Sequence, residues 1–261
     1  MGEPTAPVLL SRDGAVSTIR FNRPSVLNAL DEPTAAAFRD ACRAVAEDGT
    51  RVLVIAGNGR GFMAGGDLAR FRADGAADIA RTIIEALHEG LMILDRLEAP
   101  VIASVHGPVA GAGMSVAMAT DLCIAADDAK FTLAYARIGT TPDGSSTYNL
   151  PRLVGLRRAM EIALLADTID ASDALRLGLV NRVVPAAALA EETAALAARL
   201  AAGPTRAYAG IRRLLRQSWT SGLESQLAAE ADAFCASAGT EDFKEGIEAF
   251  FGKRRADFHG R

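Results

Sequence analysis

The chain has 261 residues, half of them hydrophobic, and a formal net charge of −4. That suits one well-buried α/β domain with room for a helical appendage, and slight acidity with no basic stripe argues against nucleic-acid binding. Met1 is followed by Gly-Glu-Pro-Thr-Ala-Pro, which is not a leader, and no window of about twenty uncharged apolar residues predicts a membrane span; a cytoplasmic location is expected.

"VSTIRF", 16–21, alternates enough for a strand, and "NRP" ends it. Asp31 with Thr34 opens an alanine-rich helix to about Glu47. "RVLVIAG", 51–57, is the near-continuous apolar run of a buried parallel strand. A glycine-rich loop, "GNGRGFMAGGD", fills 57–67, and a long amphipathic helix covers roughly 78–97 with Ile83, Leu87, Met92 and Leu94 as apolar positions. "PVIASVHG", 100–107, reads as a second buried strand, "GAGMSVAMATD", 111–121, as a loop with a small-residue helix, and "LCIAA", 122–126, as a short strand. "PRLVGLRRAMEIALL" is helical, and "ASDALRLGLV" is a short helix ending at Gly178. From Ala186 onward only helical periodicity remains. The rhythm is that of right-handed βαβ units over residues 1–185, followed by a helical region, 186–261, suited to assembly. Cys42, Cys123 and Cys235 are far apart and read as buried reduced thiols; neither a metal site nor a disulfide framework is expected.

The two glycine-rich loops do not match a dinucleotide fingerprint. "GNGRGF" brings its third glycine one residue early, and "GAGMSV" has none. No nicotinamide or flavin cofactor is expected. Each loop follows a buried strand and precedes a helix, where free backbone N–H groups can face a crevice. One N–H from each loop could hold a carbonyl oxygen as charge develops on it, an oxyanion hole. The other reading is close packing of two turns against the sheet. Ser115 lacks both the G-x-S-x-G elbow and an identifiable histidine partner, so a serine hydrolase is not expected.

"FNRPSVLNAL", "VLVIAGNGRGFMAGGDL", "PVIASVHGPVAGAGMSVAMATDL", "IGTTPDGSSTYNLPRLVGLRRAMEIALLADTIDASDALRLGLVNRVV" and "EDFKEGIEAFFGKR" occur in this order. Over roughly residues 8 to 260 the chain resembles the enoyl-CoA hydratase/isomerase, or crotonase, superfamily. The resemblance implies a spiral of ββα units with a helical carboxy-terminal trimerisation region, a homotrimer or a dimer of trimers, and an acyl-CoA thioester substrate. Coenzyme A is then part of the substrate, and no separate cofactor is implied. By motif position the oxyanion donors are the N–H groups of Gly66 and Ala112. The substrate-binding set comprises Ala64, Gly65, Asp67 and Leu68 along the adenine end of CoA, with Ser115, Tyr135, Val26 and Lys253. Many relatives carry lysine or arginine where Val26 stands; Lys253 and Arg254 resemble basic residues that meet CoA phosphates or simply form a solvated helix end.

The family's hydratases place two glutamates where this chain has Ser115 and Tyr135. A serine or tyrosine hydroxyl is a poor proton carrier near neutrality, so efficient hydration of 2-enoyl-CoA is not expected. A carboxylate appears instead at Asp143, in "TPDG", a spacing that resembles the isomerase branches: Δ3,Δ2-enoyl-CoA, dienoyl-CoA and ring-1,2-epoxyphenylacetyl-CoA isomerases. One carboxylate suffices to carry a proton from C2 to C4 of an enolate. Asp143 followed by Gly-Ser-Ser-Thr is equally good capping chemistry. Asp67 reads as a loop brace or cap, Asp121 and His106 as structural, and Glu85 or Glu89 as exposed helix residues or a second acid. Phe62, Met63, Phe71, Tyr135 and Tyr148 line an apolar pocket or the core. His88 and His259 show no partner in sequence. A hydratase-like lyase of atypical mechanism and a degenerate acyl-CoA-binding protein remain as alternatives.

Overall fold

An edge strand that the sequence pattern hides, β1 (Val8–Asp13), pairs antiparallel with β2 (Val16–Phe21). Only Val8 of β1 is buried, so there is no alternation to read; β2 alternates as expected. The computed structural model describes residues 6–72 and 74–261, so Met1–Thr5, read above for a leader, lie outside the described residues.

Helix α1 (Glu32–Glu47) starts where predicted: the Asp31 carboxylate accepts the Thr34 N–H, and the helix buries Phe38, Cys42 and Val45. β3 (Val52–Gly57) is buried throughout. α2 (Ala76–Arg96) buries Ile83, Leu87, Leu91 and Leu94. Met92, expected on that face, is half exposed. It stands one residue past Leu91, about 100° round the helix.

Next come β4 (Val101–Val105), β5 (Pro108–Ala110), α3 (Ala112–Met118), β6 (Leu122–Ala126), β7 (Lys130–Thr132), α4 (Ser146–Val154), α5 (Leu156–Leu165), β8 (Ile169–Asp170), α6 (Ala171–Leu177) and β9 (Arg182–Val184). The main sheet runs β1-β2-β3-β4-β6-β9, parallel from β2 onward. Leu53, Ile55, Val101, Ala103 and Val105 face the principal core; Val52, Val54 and Ile102 face the opposite side. That period-two division, apolar on both faces, is why the strands read as continuous hydrophobic runs.

A small sheet, β5-β7-β8, turns the expected βαβ rhythm into ββα units such as β4–β5–α3 and β6–β7–α4. Its strands are two or three residues long, too short to show a period. "PRLVGLRRAMEIALL" is not one helix: Gly155, at φ 76 and ψ 154, separates α4 from α5.

Four helices complete the chain: α7 (Leu189–Ala201), α8 (Thr205–Gln217), α9 (Leu223–Ala238) and α10 (Glu241–Phe251). α7 covers the outer face of the sheet, with Leu189 against Ile124, Ala126 and Val184 and Ala197 against Val52, Val54 and Ile102. Buried Arg212 pins α8 to the sheet through Asp121 at 2.6 Å, and Arg216 reaches the same carboxylate at 2.9 Å. Asp121 also accepts the Val101 N–H, so its role is structural, as expected. Cys42 and Cys123 are buried free thiols, but Cys235 is exposed on α9, contrary to expectation. No helix among the described residues is long and apolar enough to cross a membrane.

Candidate active site

The loop leaving β3 is held by a residue that the sequence did not flag. Asn28 is fully buried, at φ 57, in the turn after β2. Its carbonyl accepts the Arg23 N–H at 2.8 Å, and its amide nitrogen shares its two hydrogens among the carbonyls of Asn58, Gly61 and Phe62 at 2.9–3.1 Å. Replacing Asn28 with alanine strands those buried carbonyls, at about 1–3 kcal/mol. Asn28→Ala is expected to lower the urea midpoint and to speed amide exchange across residues 57–66; unchanged exchange there would remove Asn28 from this role.

Beyond Phe62 the loop lies between two neighbours. On one side Ala64 donates to the Leu27 carbonyl, Leu30 to the Gly65 carbonyl and Asp67 to the Leu30 carbonyl. On the other, Met63 donates to the Pro108 carbonyl and Ala110 to the Met63 carbonyl. These bonds use the polar groups around Gly66 and leave its own N–H without an acceptor among the described residues. They also set this loop against the "GAG" turn. A Cβ on Gly113 would lie 2.4 Å from the Met63 carbonyl oxygen, and one on Gly65 would lie 3.2 Å from that of Ala110. Gly111, at φ 49 and ψ −121, turns the chain into α3, whose first residue is Ala112. The first N–H of a helix has no acceptor within that helix. Two adjacent turns thus carry two unpaired N–H groups, Gly66 and Ala112.

Asp143 sits in the turn before α4, half-buried. Its side chain does not cap that helix. The N-cap position is Ser145, without a side-chain cap, and Ser146 bonds to the Asp143 main-chain carbonyl. The carboxylate instead accepts the Tyr135 hydroxyl, Oη to Oδ1 at 2.5 Å. Burial and the negative charge of Asp143 push the Tyr135 phenol above its usual pKa, so it stays protonated as a donor. Ser115 Oγ, fully buried, lies 2.6 Å from Ser146 Oγ and 3.1 Å from Tyr135 Oη. The next residue, Gly144, has φ +56, and a Cβ there would lie 2.9 Å from that of Ser115. Ser115 is three positions beyond Ala112 on α3. The Asp143 turn is therefore packed one helical turn from an unpaired N–H.

His88, which showed no partner in sequence, accepts the Gly144 N–H at Nε2, 3.1 Å. Accepting there places the neutral ring's proton on Nδ1. The pair links α2 to the Asp143 turn.

The family model described as Enoyl-CoA hydratase/isomerase matches residues 11–261. The chain belongs to that family. A Rhodobacter capsulatus protein named "Probable enoyl-CoA hydratase" is 39% identical, covering 94% of this chain and 95% of its own. The 1,2-epoxyphenylacetyl-CoA isomerase of Escherichia coli is 34% identical, covering 97% and 98%. A crystal structure of an enoyl-CoA hydratase/isomerase from Mycobacterium abscessus superposes with a TM-score of 0.93 at 35% identity, covering 97% of this chain and all of that one. The fold is the crotonase-type α/β spiral, and the chain is an acyl-CoA enzyme of this family.

The remaining positions singled out by the family pattern divide clearly. Asp67 braces its loop: it accepts from Arg23 at 3.2 Å, and Arg23 also pairs with Asp31 at 3.0 Å. Leu68 and Val26 are exposed. Lys253 is exposed at φ 50 and has no carboxylate partner among the described residues, whereas Arg254 is held by Glu245 in two bonds at 2.5 and 2.8 Å. Glu89 pairs with Arg43 and Glu85 with Arg81, both at the surface, away from a second-acid role. Phe62 and Met63 are core; Phe71 packs over Gly66; Tyr148 lies under the Arg152 guanidinium, 3.6 Å away, at the surface. His106 is structural, its Nε2 2.9 Å from the Gly59 carbonyl oxygen, and His259 is exposed beside Asp257.

Proposed function

We propose that the protein is an acyl-CoA isomerase, moving a double bond or rearranging a ring through an enolate with Asp143 as its one proton carrier. The observation that carries this reading is the Asp143 carboxylate, which is not spent on the helix that follows it. Its turn packs against Ser115 of α3, and Oδ2 is free of partners among the described residues. The thioester oxygen is held by the N–H groups of Gly66 and Ala112, where negative charge develops as the C2 proton leaves. Asp143 takes that proton and returns it at C4, and the conjugated product results. The positive end of α3 and the unpaired donors are organised before substrate arrives, so no reorganisation is needed at the moment of reaction.

Hydration is the weaker reading: by the family resemblance Ser115 and Tyr135 stand where the hydratases carry glutamates, and burial pushes the pKa of the Tyr135 phenol up. Neither accepts a proton from water near neutrality. Ala64, Gly65, Asp67 and Leu68 line the CoA path, and Lys253 supplies an unpaired cation for its phosphates. Exposed Leu156, Leu164, Phe234, Phe250 and Phe251, each more than 60% accessible, fit burial in a homotrimer or a dimer of trimers.

Two substrates run side by side test the reading. trans-3-Enoyl-CoA is expected to give the absorbance of a conjugated thioester faster than crotonyl-CoA loses it to water. The reverse order sinks the isomerase reading in favour of a lyase. Tight acyl-CoA binding without turnover of any thioester in a panel points to a protein that has lost its chemistry.

A further inference from the structure

We infer that Tyr135 is a positioning residue for the Asp143 base: its hydroxyl engages Oδ1 and leaves Oδ2 as the oxygen that takes the proton. This inference rests on the isomerase reading above and adds a residue to it.

A carboxylate in a turn has two rotatable bonds and two equivalent oxygens. Nothing in the sequence says which one faces the substrate. The Tyr135 Oη–Asp143 Oδ1 distance of 2.5 Å removes that freedom. The phenol is itself fixed from behind. It comes from the tight turn 134–138, and Ser115 Oγ lies 3.1 Å from its oxygen. Since the phenol spends its proton on Asp143, Ser115 donates its single proton to the phenol oxygen. The relay Ser115–Tyr135–Asp143 therefore links α3, the helix that Ala112 opens, to the carboxylate.

The other groups facing the Asp143 turn do not substitute for the phenol. His88, from α2, spends its Nε2 on the Gly144 N–H. Ser146, from α4, donates to the Asp143 main-chain carbonyl, and Ser115, from α3, lies 3.3 Å from that carbonyl and not on the carboxylate. No lysine or arginine pairs with the Asp143 carboxylate among the described residues. Tyr135 is its one side-chain donor among the described residues.

Tyr135→Phe removes one oxygen and keeps the ring. With the carboxylate no longer held in one orientation, kcat should fall about tenfold, with KM changed less than twofold. An intact kcat overturns the inference. The carboxyl 13C resonance of Asp143, assigned by its loss in Asp143→Asn, gives a readout independent of turnover. Its chemical shift at fixed pH should move in Tyr135→Phe, and an unmoved resonance again overturns the inference. The two readings fail separately. Full activity in Asp143→Asn refutes the proton-shuttle assignment. An inactive Asp143→Asn together with an unshifted Tyr135→Phe refutes only the role of Tyr135.

Discussion

Asp143→Asn is expected to reduce kcat for double-bond migration about a thousandfold while leaving the fold intact. Asparagine has the same shape, and its carbonyl can still accept the Tyr135 hydroxyl that now bonds Oδ1. What it cannot do is take a proton from C2. General acid–base catalysis contributes about a hundredfold to ten-thousandfold, and here one group serves as both base and acid. The stability change should stay below about 1 kcal/mol, since the one hydrogen bond to the side chain is kept. Initial rates on trans-3-enoyl-CoA and a thermal melt, measured on the same preparation, separate these effects. A variant that folds and turns over at the parent's rate refutes the assignment. A variant that fails to fold would instead show Asp143 to be part of the framework.

The second large effect is expected at Ala112 through its backbone N–H; its methyl group packs in the core. Ala112 is the first residue of α3, and proline is tolerated at that position because the N–H it lacks has no acceptor within the helix. The preceding residue, Gly111, has φ 49 and ψ −121, outside the helical region that a following proline disfavours. Ala112→Pro therefore deletes one oxyanion donor at little conformational cost. Loss of such a donor costs about a hundredfold to a thousandfold in kcat, near 3 kcal/mol of transition-state stabilisation. Affinity for the CoA portion, followed by calorimetry with a non-reacting thioester, should change far less. Undiminished turnover in Ala112→Pro would mean that the thioester oxygen is bound elsewhere.

Both variants act at positions that the family resemblance assigns; spacing alone leaves the two loops open between an oxyanion hole and close packing of turns, and Asp143 open between a cap and a carboxylate at the site. What spacing does carry is local: Ala112 and Gly66 lie in short, contiguous, glycine-rich segments whose turns are fixed within a few residues. The helix cap at Asp31 was legible for the same reason: its partner, Thr34, is three residues away. Other parts of the site were not legible because their partners are remote. Asn28 grips carbonyls 30 to 34 residues ahead, and His88 meets Gly144 across 56. Spacing along the chain carries no information about such pairs. An asparagine ending a turn that needs positive φ was the one available signal for Asn28.

The two readings of Asp143, cap or carboxylate at the site, could be separated only by seeing where its oxygens point. Likewise β1 was hidden because its exposed face lacks alternation, and β5, β7 and β8 because they are too short to have any. Met92 was misplaced by one residue because an apolar neighbour, Leu91, takes the buried direction.

Asp143 and the two backbone donors converge on one thioester in the proposed reaction. A crystal structure with a bound acyl-CoA should therefore show the thioester oxygen between the N–H groups of Gly66 and Ala112, with Asp143 Oδ2 within about 3.5 Å of both C2 and C4. A thioester oxygen held elsewhere, or Glu85 or Glu89 closest to C2 in place of Asp143, would contradict that convergence.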